Sequence, residues 1–512
     1  MGARSRRPRL ALPAGRNQTM KARGFGAAIA AFLAASSAAA QPALPDSANP
    51  WAAMTRLDLE AMRAAFEERY IYAVYPDPAA WRARFDPIVA RARRNADSVT
   101  SFAGYRAVLQ SVVAAVSDTH VGLNFRLRSD SASWPGFLAR YIGGRYRVAA
   151  SDTAEIPDGA EIENCDGERL DSWADRIASF ESGLPAGLAV TRASSARLVF
   201  VDQGSPYMRR PSACTIGGRN VTLSWRPISL AEQLERLEPL ARVSDRSVSI
   251  RTIGDGVAWV RLGFFSPRDD ADRERFLAAL REAPALRDRR AIVIDVRGNG
   301  GGPYDLFVGF LYALYGREFA DHFARARTHI RPVMRLSDDM MRSLTSTPPA
   351  TDASSPLRDP ATQISSNAEE RARVVAEIRA AAAAGRPTIT LAMPGLPPRA
   401  ANLPANPVRA RVFLLTDYGC ASACIGFVDE MRSIPGVVQI GVPTSLDRRS
   451  GTALPVPLPS GNAVLRLASM QRDGRQRGDN VSVDPDILFD GDILDNAAVE
   501  RWVLETVLPG RS

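Results

Sequence analysis

A serine placed where an apolar run ends is the first candidate for chemistry in this sequence. Residues 412–427 read VFLLTDYGCASACIGF, in which Ser422 stands between two alanines. The pattern predicts a strand, a tight turn and the start of a helix, so the hydroxyl can project over the end of a sheet. The first N–H groups of such a helix stay free to bind an oxyanion. We interpret Ser422 as a candidate nucleophile; the alternative is that small residues only let a helix pack closely on a sheet.

A glycine cluster between a predicted strand and a predicted helix offers what such a serine would need. Residues 291–296, AIVIDV, predict a strand buried in a parallel sheet, and residues 304–315 predict the helix. Between them, residues 297–302 read RGNGGG, with more glycines than one tight turn requires. Backbone N–H groups in this loop can point at an anion, so we interpret it as an anion or oxyanion site, with a plain turn as the alternative. Its spacing is not that of a dinucleotide-binding motif.

Few side chains could act as the general base for this serine, and composition excludes lysine. The only lysine is Lys21, inside a predicted leader, so a serine–lysine pair is excluded from the mature chain. Histidine is then the usual base, and the chain has three: His120, His322 and His329. His120 follows an amphipathic helix predicted for residues 105–116 and precedes an alternating strand, which makes it the preferred base. The alternative is an ordinary turn histidine.

The first 40 residues differ from the rest in charge and predict a secretory signal peptide. They hold seven Lys or Arg and no acidic residue, with an apolar run at 25–33 and a small-residue tract that ends at Ala40. Without them, the 65 basic residues fall to 58 against 56 acidic ones, so the mature chain offers no electrostatic case for nucleic acid. No other stretch approaches the ~20 apolar residues of a membrane helix. We expect export to the periplasm or the exterior, with cleavage near Ala40.

The four cysteines suit an oxidising compartment. Cys165 and Cys214 are the pair that we expect to form a disulfide. Cys420 and Cys424 bracket the candidate serine, and they can be bonded only if the start of the helix is distorted, because disulfide geometry is narrow. Their pairing stays open. Two cysteines without a neighbouring histidine do not make a four-ligand site, so no metal is expected.

The order of predicted elements indicates an α/β protein that carries an insertion. Residues 41–130 predict helices, and residues 131–230 alternate short strands and turns as a small α+β binding module would. Residues 231–330 and 406–512 have the strand–helix–strand order of the main domain. Residues 331–405 are rich in Ser, Thr, Pro and Ala and predict a partly mobile insertion beside the site. A length of 512 residues with 46% hydrophobic content suits two or three soluble domains.

Four motifs, in their order along the chain, resemble those of the carboxyl-terminal processing and tricorn-core serine peptidases. They are SDTH at 117–120, DVRGNGGG at 295–302, CASAC at 420–424 and DNVSVDPDI at 479–487. The resemblance covers most of the chain after the leader. It implies a ClpP/crotonase-like α/β core with an inserted PDZ-like module, here residues 131–230, and an N-terminal helical segment. It also implies no cofactor, and a peptide or protein as substrate.

The resemblance assigns the nucleophile and the oxyanion donors residue by residue. The family's nucleophile matches Ser422. Its oxyanion donors match the backbone N–H of Ala423 and that of a glycine in the cluster, either Gly300 or Gly301.

The general base that the resemblance implies is a histidine. The processing branch has a lysine where this chain has Asp447, so the tricorn branch applies, whose histidine follows a hydroxyl residue and matches His120 after Thr119. The family's orienting carboxylate matches Asp479, which is one methylene shorter than the usual glutamate. Acting through the Thr119 hydroxyl, Asp479 would hold His120 in its useful tautomer. Asp118 is the rival orienter.

We therefore predict an exported serine peptidase with Ser422 as nucleophile and His120 as general base. The alternative is a peptide- or small-molecule-binding protein on the same fold, with a degenerate site. A distance of about 4 Å or less between His120 Nε2 and Ser422 Oγ favours the peptidase, whereas a gap that no side-chain rotation can close favours binding. The peptide preference, the binding of chain ends by the middle module and the oligomeric state stay open.

Overall fold

Two sheets carry the candidate residues, and both are visible in a computed structural model of the chain. The structure describes residues 47–126, 131–240, 243, 245–323, 330–338, 340–341, 368–391 and 404–509. The predicted signal peptide, His329 and most of the predicted insertion lie outside these residues. Within them, no helix combines the length and the apolar character needed to cross a membrane.

The described elements alternate helices and strands in the order of a mixed α/β protein, as predicted. The α-helices are α1 Pro50–Arg69, α2 Pro78–Ala96, α3 Phe102–Val116, α4 Leu170–Glu181, α5 Ala189–Ala196, α6 Leu230–Leu237, α7 Asp270–Glu282, α8 Tyr304–Tyr315, α9 Arg317–Phe323, α10 Ala368–Ala383, α11 Ala423–Arg432 and α12 Asn496–Trp502. The strands are β1 Gly122–Phe125, β2 Ser131–Trp134, β3 Leu138–Ile142, β4 Arg145–Ala149, β5 Ile162–Cys165, β6 Glu168–Arg169, β7 Ala213–Ile216, β8 Arg219–Thr222, β9 Arg226–Ser229, β10 Val248–Ile253, β11 Val257–Leu262, β12 Ala291–Asp295, β13 Arg331–Arg335, β14 Thr388–Thr390, β15 Arg411–Thr416, β16 Val437–Gly441, β17 Ser450–Pro457, β18 Ala463–Asp473 and β19 Ile487–Leu488.

The main sheet has the strand order β10-β11-β12-β15-β16-β19. β10 is antiparallel to β11, and every later neighbour pair is parallel. The apolar runs of β12 and β15 are buried on both faces between helices, as a parallel sheet requires. Because neighbouring parallel strands end at the same edge, β12 and β15 deliver the glycine cluster and Ser422 to one place.

A second, antiparallel sheet has the order β1-β18-β13-β14, with β17 also paired to β18. The long strand β18 pairs Arg466 with Gly122 of β1 and Gln471 with Ser450 of β17. His120 lies just before β1, and Ser450 is the first residue of β17. One sheet therefore carries both of these side chains.

The N-terminal helices hold the histidine end of this sheet in place. Helices α1 to α3 bury an aromatic cluster that includes Phe66, Tyr70 and Tyr105, and they pack it against Leu465 and Leu467 of β18. The helix predicted near residue 105 is thus α3, and its apolar face covers the sheet.

The middle segment has an apolar cluster of its own, built from β3 to β8 with α4 and α5. Cys165 and Cys214 face each other on β5 and β7 and are joined by a disulfide. Gly217 and Gly218 form the hairpin turn that connects β7 and β8. The likeness of this segment to a PDZ domain, and the proposed domain boundaries, stay predictions.

A buried ion cluster anchors the carboxyl end of β12, directly before the glycines. Asp295 accepts hydrogen bonds from Arg297 at 2.8 and 3.0 Å and from Arg261 at 2.9 Å. Arg297 also donates to the Ile493 carbonyl and to Asn496, which ties the loop to the C-terminal helix. Burial opposes ionisation of Asp295, but the two guanidinium charges outweigh it and lower its pKa to about 2.

The depressed pKa of Asp295 predicts a loss of stability in acid. The ionised carboxylate stabilises the fold above its ordinary pKa of 3.8, and this contribution disappears as the pH falls towards 2. We expect Asp295→Asn to lower the free energy of unfolding by about 3 kcal/mol near pH 7, because two buried guanidinium groups lose their counterion. Urea titrations should show that the difference in unfolding free energy between the wild-type protein and Asp295→Asn shrinks by about 2 kcal/mol as the pH falls from about 5 towards 2. A difference that does not change with pH would contradict the assignment.

Candidate active site

Ser422 sits at a sharp junction between β15 and α11. Its backbone has φ 54° and ψ −118°, in the left-handed region that a residue with a side chain rarely adopts. Such a conformation costs on the order of 1–3 kcal/mol and persists only where the surroundings fix it. The serine is the N-cap of α11, so it stands next to the N–H of Ala423, which has no hydrogen-bond partner among the described residues. This is the strand–turn–helix geometry that the small-residue pattern predicted.

The structure brings His120 to Ser422. His120 Nε2 lies 3.2 Å from Ser422 Oγ, although the two residues are 302 positions apart. Helix α3 ends at Val116, and its C-cap Ser117 has a left-handed φ of 54° that turns the chain sharply before β1 begins. That turn places the imidazole over the end of the main sheet, within hydrogen-bond reach of the hydroxyl.

On its other side, His120 meets a hydroxyl that sequence reasoning missed. His120 Nδ1 lies 3.2 Å from Ser450 Oγ, and the Ser450 hydroxyl donates to Asp118 Oδ1 over 2.7 Å. Because that hydroxyl uses its proton on Asp118, it can only accept from the ring, so Nδ1 carries the ring proton and Nε2 is free to accept from Ser422. Asp118 Oδ1 also accepts the His120 backbone N–H at 2.9 Å.

Asp118 is buried and remains a carboxylate. Burial opposes its ionisation, but hydrogen bonds from His120 and Ser450 outweigh that effect and lower its pKa to about 2. Its second oxygen accepts the Tyr70 hydroxyl at 2.7 Å. Burial and the Asp118 charge raise the pKa of Tyr70 well above its ordinary value, so the phenol stays a neutral donor. The hydrogen-bond chain from His120 through Ser450 therefore ends on a carboxylate, Asp118, that keeps its negative charge.

Two backbone N–H groups beside Ser422 are available to an oxyanion. The N–H of Ala423 and the N–H of Gly300 have no hydrogen-bond partner among the residues that the structure describes. The N–H of Gly301 donates to Asn299 Oδ1 at 2.9 Å, so of the two predicted glycines it is Gly300 that keeps a free donor. Gly301 has another use: a Cβ there would lie 2.7 Å from Ala423 N, so only glycine fits against the serine junction.

One buried aspartate couples the glycine loop to the serine loop. Asp417 Oδ1 accepts the N–H of Gly298 at 2.7 Å and the N–H of Gly419 at 3.0 Å. The Ala421 N–H donates to the Asn299 carbonyl at 3.0 Å, which adds a second tie. Burial raises the pKa of Asp417, and the Gly298 N–H opposes that shift. The two segments that carry the free N–H groups are thus held together by shared hydrogen bonds.

Cys420 and Cys424 are bonded to each other across the serine, the pairing that the sequence left open. Their Cα atoms are 5.3 Å apart, within the usual span of a disulfide. The bridge is possible because α11 begins only at Ala423, so Cys420 lies outside the helix. The predicted condition, a departure from regular helix at this point, is met by the left-handed backbone of Ser422.

Two predicted residues lie elsewhere. The Asp479 carboxylate accepts the backbone N–H of Arg449 at 2.7 Å and lies 3.7 and 3.6 Å from Arg448 and Arg475. Its hydrogen bonds and ion pairs among the described residues are with arginines, and none is with His120. Thr119 is exposed, and among the described residues its hydroxyl makes no hydrogen bond. The rival orienter, Asp118, reaches the imidazole instead.

Ser450 could not have been found from its own sequence context. It stands in Arg449-Ser450-Gly451, where the local signal is that of an ordinary strand start. Its position follows from the pairing of β17 with β18, which is a long-range feature. The Asp479 bond to the Arg449 N–H is one residue away from Ser450, so the carboxylate that the motif picked out supports the loop that carries this hydroxyl.

Comparison with known proteins finds one family model that matches the core. Residues 256–489 match the model of peptidase family S41. This range spans β11, the glycine loop, Ser422, Ser450 and Asp479, and it leaves out His120. Among curated proteins, no sequence matches the chain.

Solved structures resemble the fold over most of the chain. Mature CPAF has 15% identity and a TM-score of 0.57, with 90% of this chain and 98% of that chain covered. Mature CPAF complexed with lactacystin has 15% identity and a TM-score of 0.55, covering 90% and 99%. The photosystem II D1 C-terminal processing protease has 13% identity and a TM-score of 0.31, covering 85% and 93%. At these identities the first two show a shared fold.

The two disulfides predict different losses of stability. Removing the Cys420–Cys424 bridge by a double change to alanine should lower the free energy of unfolding by about 2 kcal/mol, because it closes a loop of few residues. The same change at Cys165 and Cys214, which are 49 positions apart, should cost about 4 kcal/mol. All four side chains are buried, so the packing losses are comparable. Guanidinium unfolding of both variants checks the order, and a larger loss at the short bridge would contradict it.

Proposed function

We propose that this chain, whose residues 256–489 match the model of peptidase family S41, is an exported serine peptidase that cuts peptide bonds with Ser422 as nucleophile and His120 as general base. The observation that carries the proposal is the 3.2 Å separation of His120 Nε2 and Ser422 Oγ. The serine lies inside the range that matches the family, and the histidine comes to it from outside that range. This separation supports a peptidase over a binding protein with a degenerate site.

The first half of the proposed reaction is acyl transfer to the serine. Ser422 Oγ attacks the substrate carbonyl carbon while its proton passes to His120 Nε2. The carbonyl oxygen becomes an anion, and the free N–H groups of Ala423 and Gly300 stabilise it, each by roughly 3 kcal/mol. His120 then gives the proton to the leaving amine nitrogen as the carbon–nitrogen bond breaks, which leaves an ester on Ser422.

The second half returns the enzyme to its starting state. A water molecule attacks the ester carbonyl and passes a proton to His120 Nε2. The same N–H groups hold the second oxyanion, and the protonated imidazole returns its proton to Ser422 Oγ as the ester bond breaks. The product leaves with a new carboxyl group.

We assign the orienting role to Ser450 and Asp118. When His120 takes a proton it becomes a cation, and the buried Asp118 carboxylate stabilises that charge through the Ser450 hydroxyl. Asp118 also accepts the His120 backbone N–H, so one carboxylate fixes both the position of the residue and the tautomer of its ring.

The substrate and the place of action follow from the family and the leader. A peptidase implies a peptide or protein as substrate. The predicted signal peptide and the presence of two disulfides support export to the periplasm or the exterior.

The nucleophile and the base can be tested with one probe and three variants. Ser422→Ala should abolish both peptide hydrolysis and labelling by a fluorophosphonate, because no oxygen remains to attack phosphorus. His120→Gln should slow both by about 10²- to 10⁴-fold, the usual contribution of a general base. His322→Gln is the matched control, since that imidazole lies on α9 outside the site, and it should keep the wild-type rate. Full labelling of Ser422→Ala would contradict the proposal.

The orienting assignment predicts unequal effects of two small changes. Ser450→Ala removes the hydroxyl between His120 and Asp118 and should reduce kcat on the order of 10²-fold with little change in KM. Asp479→Asn keeps an oxygen acceptor for the Arg449 N–H and should reduce kcat by a few-fold at most. The opposite ranking in steady-state kinetics would return the orienting role to Asp479.

A further inference from the structure

A pocket of about 410 Å³ opens beside Ser422 and follows one face of α11. Gly426 lies one helical turn beyond the serine, and Asp429 and Ser433 lie on the following turns. The rings of Tyr304 and Phe307 form a wall. Gly426 lies close to both rings, since a Cβ there would stand 3.5 Å from Tyr304 and 3.8 Å from Phe307, so a larger side chain at this position would project into the pocket.

The aromatic wall of the pocket is fixed in place. The buried Arg472 donates to the Tyr304 hydroxyl at 2.7 Å, and the Tyr304 and Phe307 rings are in edge contact with centroids 5.1 Å apart. Val483 and Ile330 add apolar surface to the lining. A flat apolar group that entered here would find ordered rings to pack against.

The charged groups of the lining balance one another. Three carboxylates and three guanidinium groups line the pocket: Asp429, Glu430, Asp447, Arg432, Arg475 and Arg477. The set therefore offers no net charge to a substrate side chain.

The main charged groups are already engaged in pairs. Arg477 donates to Asp447 at 2.7 Å and to Asp429 at 3.2 Å, and Arg475 donates to Asp447 at 2.8 Å. On the opposite side, Arg432 donates to Gln439 at 2.7 Å. A charged substrate side chain would have to break one of these pairs or stay unpaired in a partly desolvated site, and both are unfavourable.

We propose that this pocket selects a large uncharged side chain, aromatic before aliphatic, at one of the two positions that flank the scissile bond. The inference rests on the proposed function, since it concerns the substrate of the same serine. A large ring fills the pocket beyond Gly426 and packs against the Tyr304 side of the aromatic wall, whereas alanine leaves most of the pocket empty. Lysine, arginine, aspartate and glutamate would compete with the ion pairs that Arg475 and Arg477 make with Asp447 and Asp429.

The test is a peptide library varied on both sides of the cleaved bond and read by mass spectrometry, followed by kcat/KM for matched peptides. In the wild-type protein, peptides with Tyr or Phe at the selected position should be cut on the order of tenfold faster than those with Ala, Lys or Asp. Gly426→Leu fills the pocket, so the ratio of the aromatic to the alanine peptide should fall at least tenfold. Gly426→Ala adds a Cβ at ordinary contact distance, 3.5 Å from Tyr304, and should give a smaller shift in the same direction.

Ala64→Leu is the control for this series, because it adds the same kind of side chain to an exposed helix position. Its ratio should equal that of the wild-type protein. A preference for a charged residue, or a ratio that both Gly426 variants leave unchanged, overturns the inference alone when Ser422 still takes a fluorophosphonate label. A wild-type protein that takes no label and cuts no peptide overturns the proposed function, and the inference falls with it.

Discussion

The hydrogen bond between His120 and Ser422 is the contact on which the rest of the site depends. Its two partners come from different sheets, and neither sheet could supply both. Ser422 and the glycine loop stand at one edge of the parallel sheet because β12 and β15 are neighbours that end together. His120 and Ser450 stand on the antiparallel sheet because β1 and β17 both pair with β18. The site therefore lies where the two sheets meet. Its geometry depends on the packing that holds the two sheets together.

Buried charge keeps each half of this site in position. On the histidine side, one carboxylate, Asp118, accepts from Tyr70, Ser450 and the His120 backbone. On the serine side, Asp295 pairs with two arginines below the glycine loop, and Asp417 joins that loop to the serine loop. Buried carboxylates that are fully hydrogen-bonded stabilise one arrangement and disfavour others, because any shift leaves a charge without a partner.

The sequence predicted those parts of the site that are local in origin. Three elements are predicted from short stretches of local sequence. They are the apolar run before the small residues at Ser422, the apolar run before the glycines, and the helix before His120. Even the choice of histidine over lysine needed only composition, since Lys21 is the one lysine. The class of the fold followed from the order of these runs, and the match to known structures bears it out. By contrast, the prediction of helices over residues 41–130 does not resolve α2, Pro78–Ala96, as a separate helix.

The parts that could not be predicted depend on contacts between distant segments. Ser450 reaches His120 only through the register of β17 on β18. No neighbouring residue in the sequence predicts that Ser450 contacts the histidine. The motif points to Asp479, but its carboxylate oxygen accepts the Arg449 N–H, and the motif gives no signal of the arginines around it. Which of Gly300 and Gly301 offers a free N–H to an oxyanion depends on one side chain, Asn299, whose oxygen accepts the Gly301 N–H.

The central claim is that Ser422, His120 and two backbone N–H groups act on one carbonyl carbon. A crystal structure of the protein with a peptide boronate or aldehyde tests it most directly, because such a group mimics the tetrahedral state. The account predicts a covalent bond to Ser422 Oγ, with the anionic oxygen about 2.7–3.1 Å from the N–H groups of Ala423 and Gly300. A ligand bonded to another residue, or an oxygen turned away from both N–H groups, would contradict it.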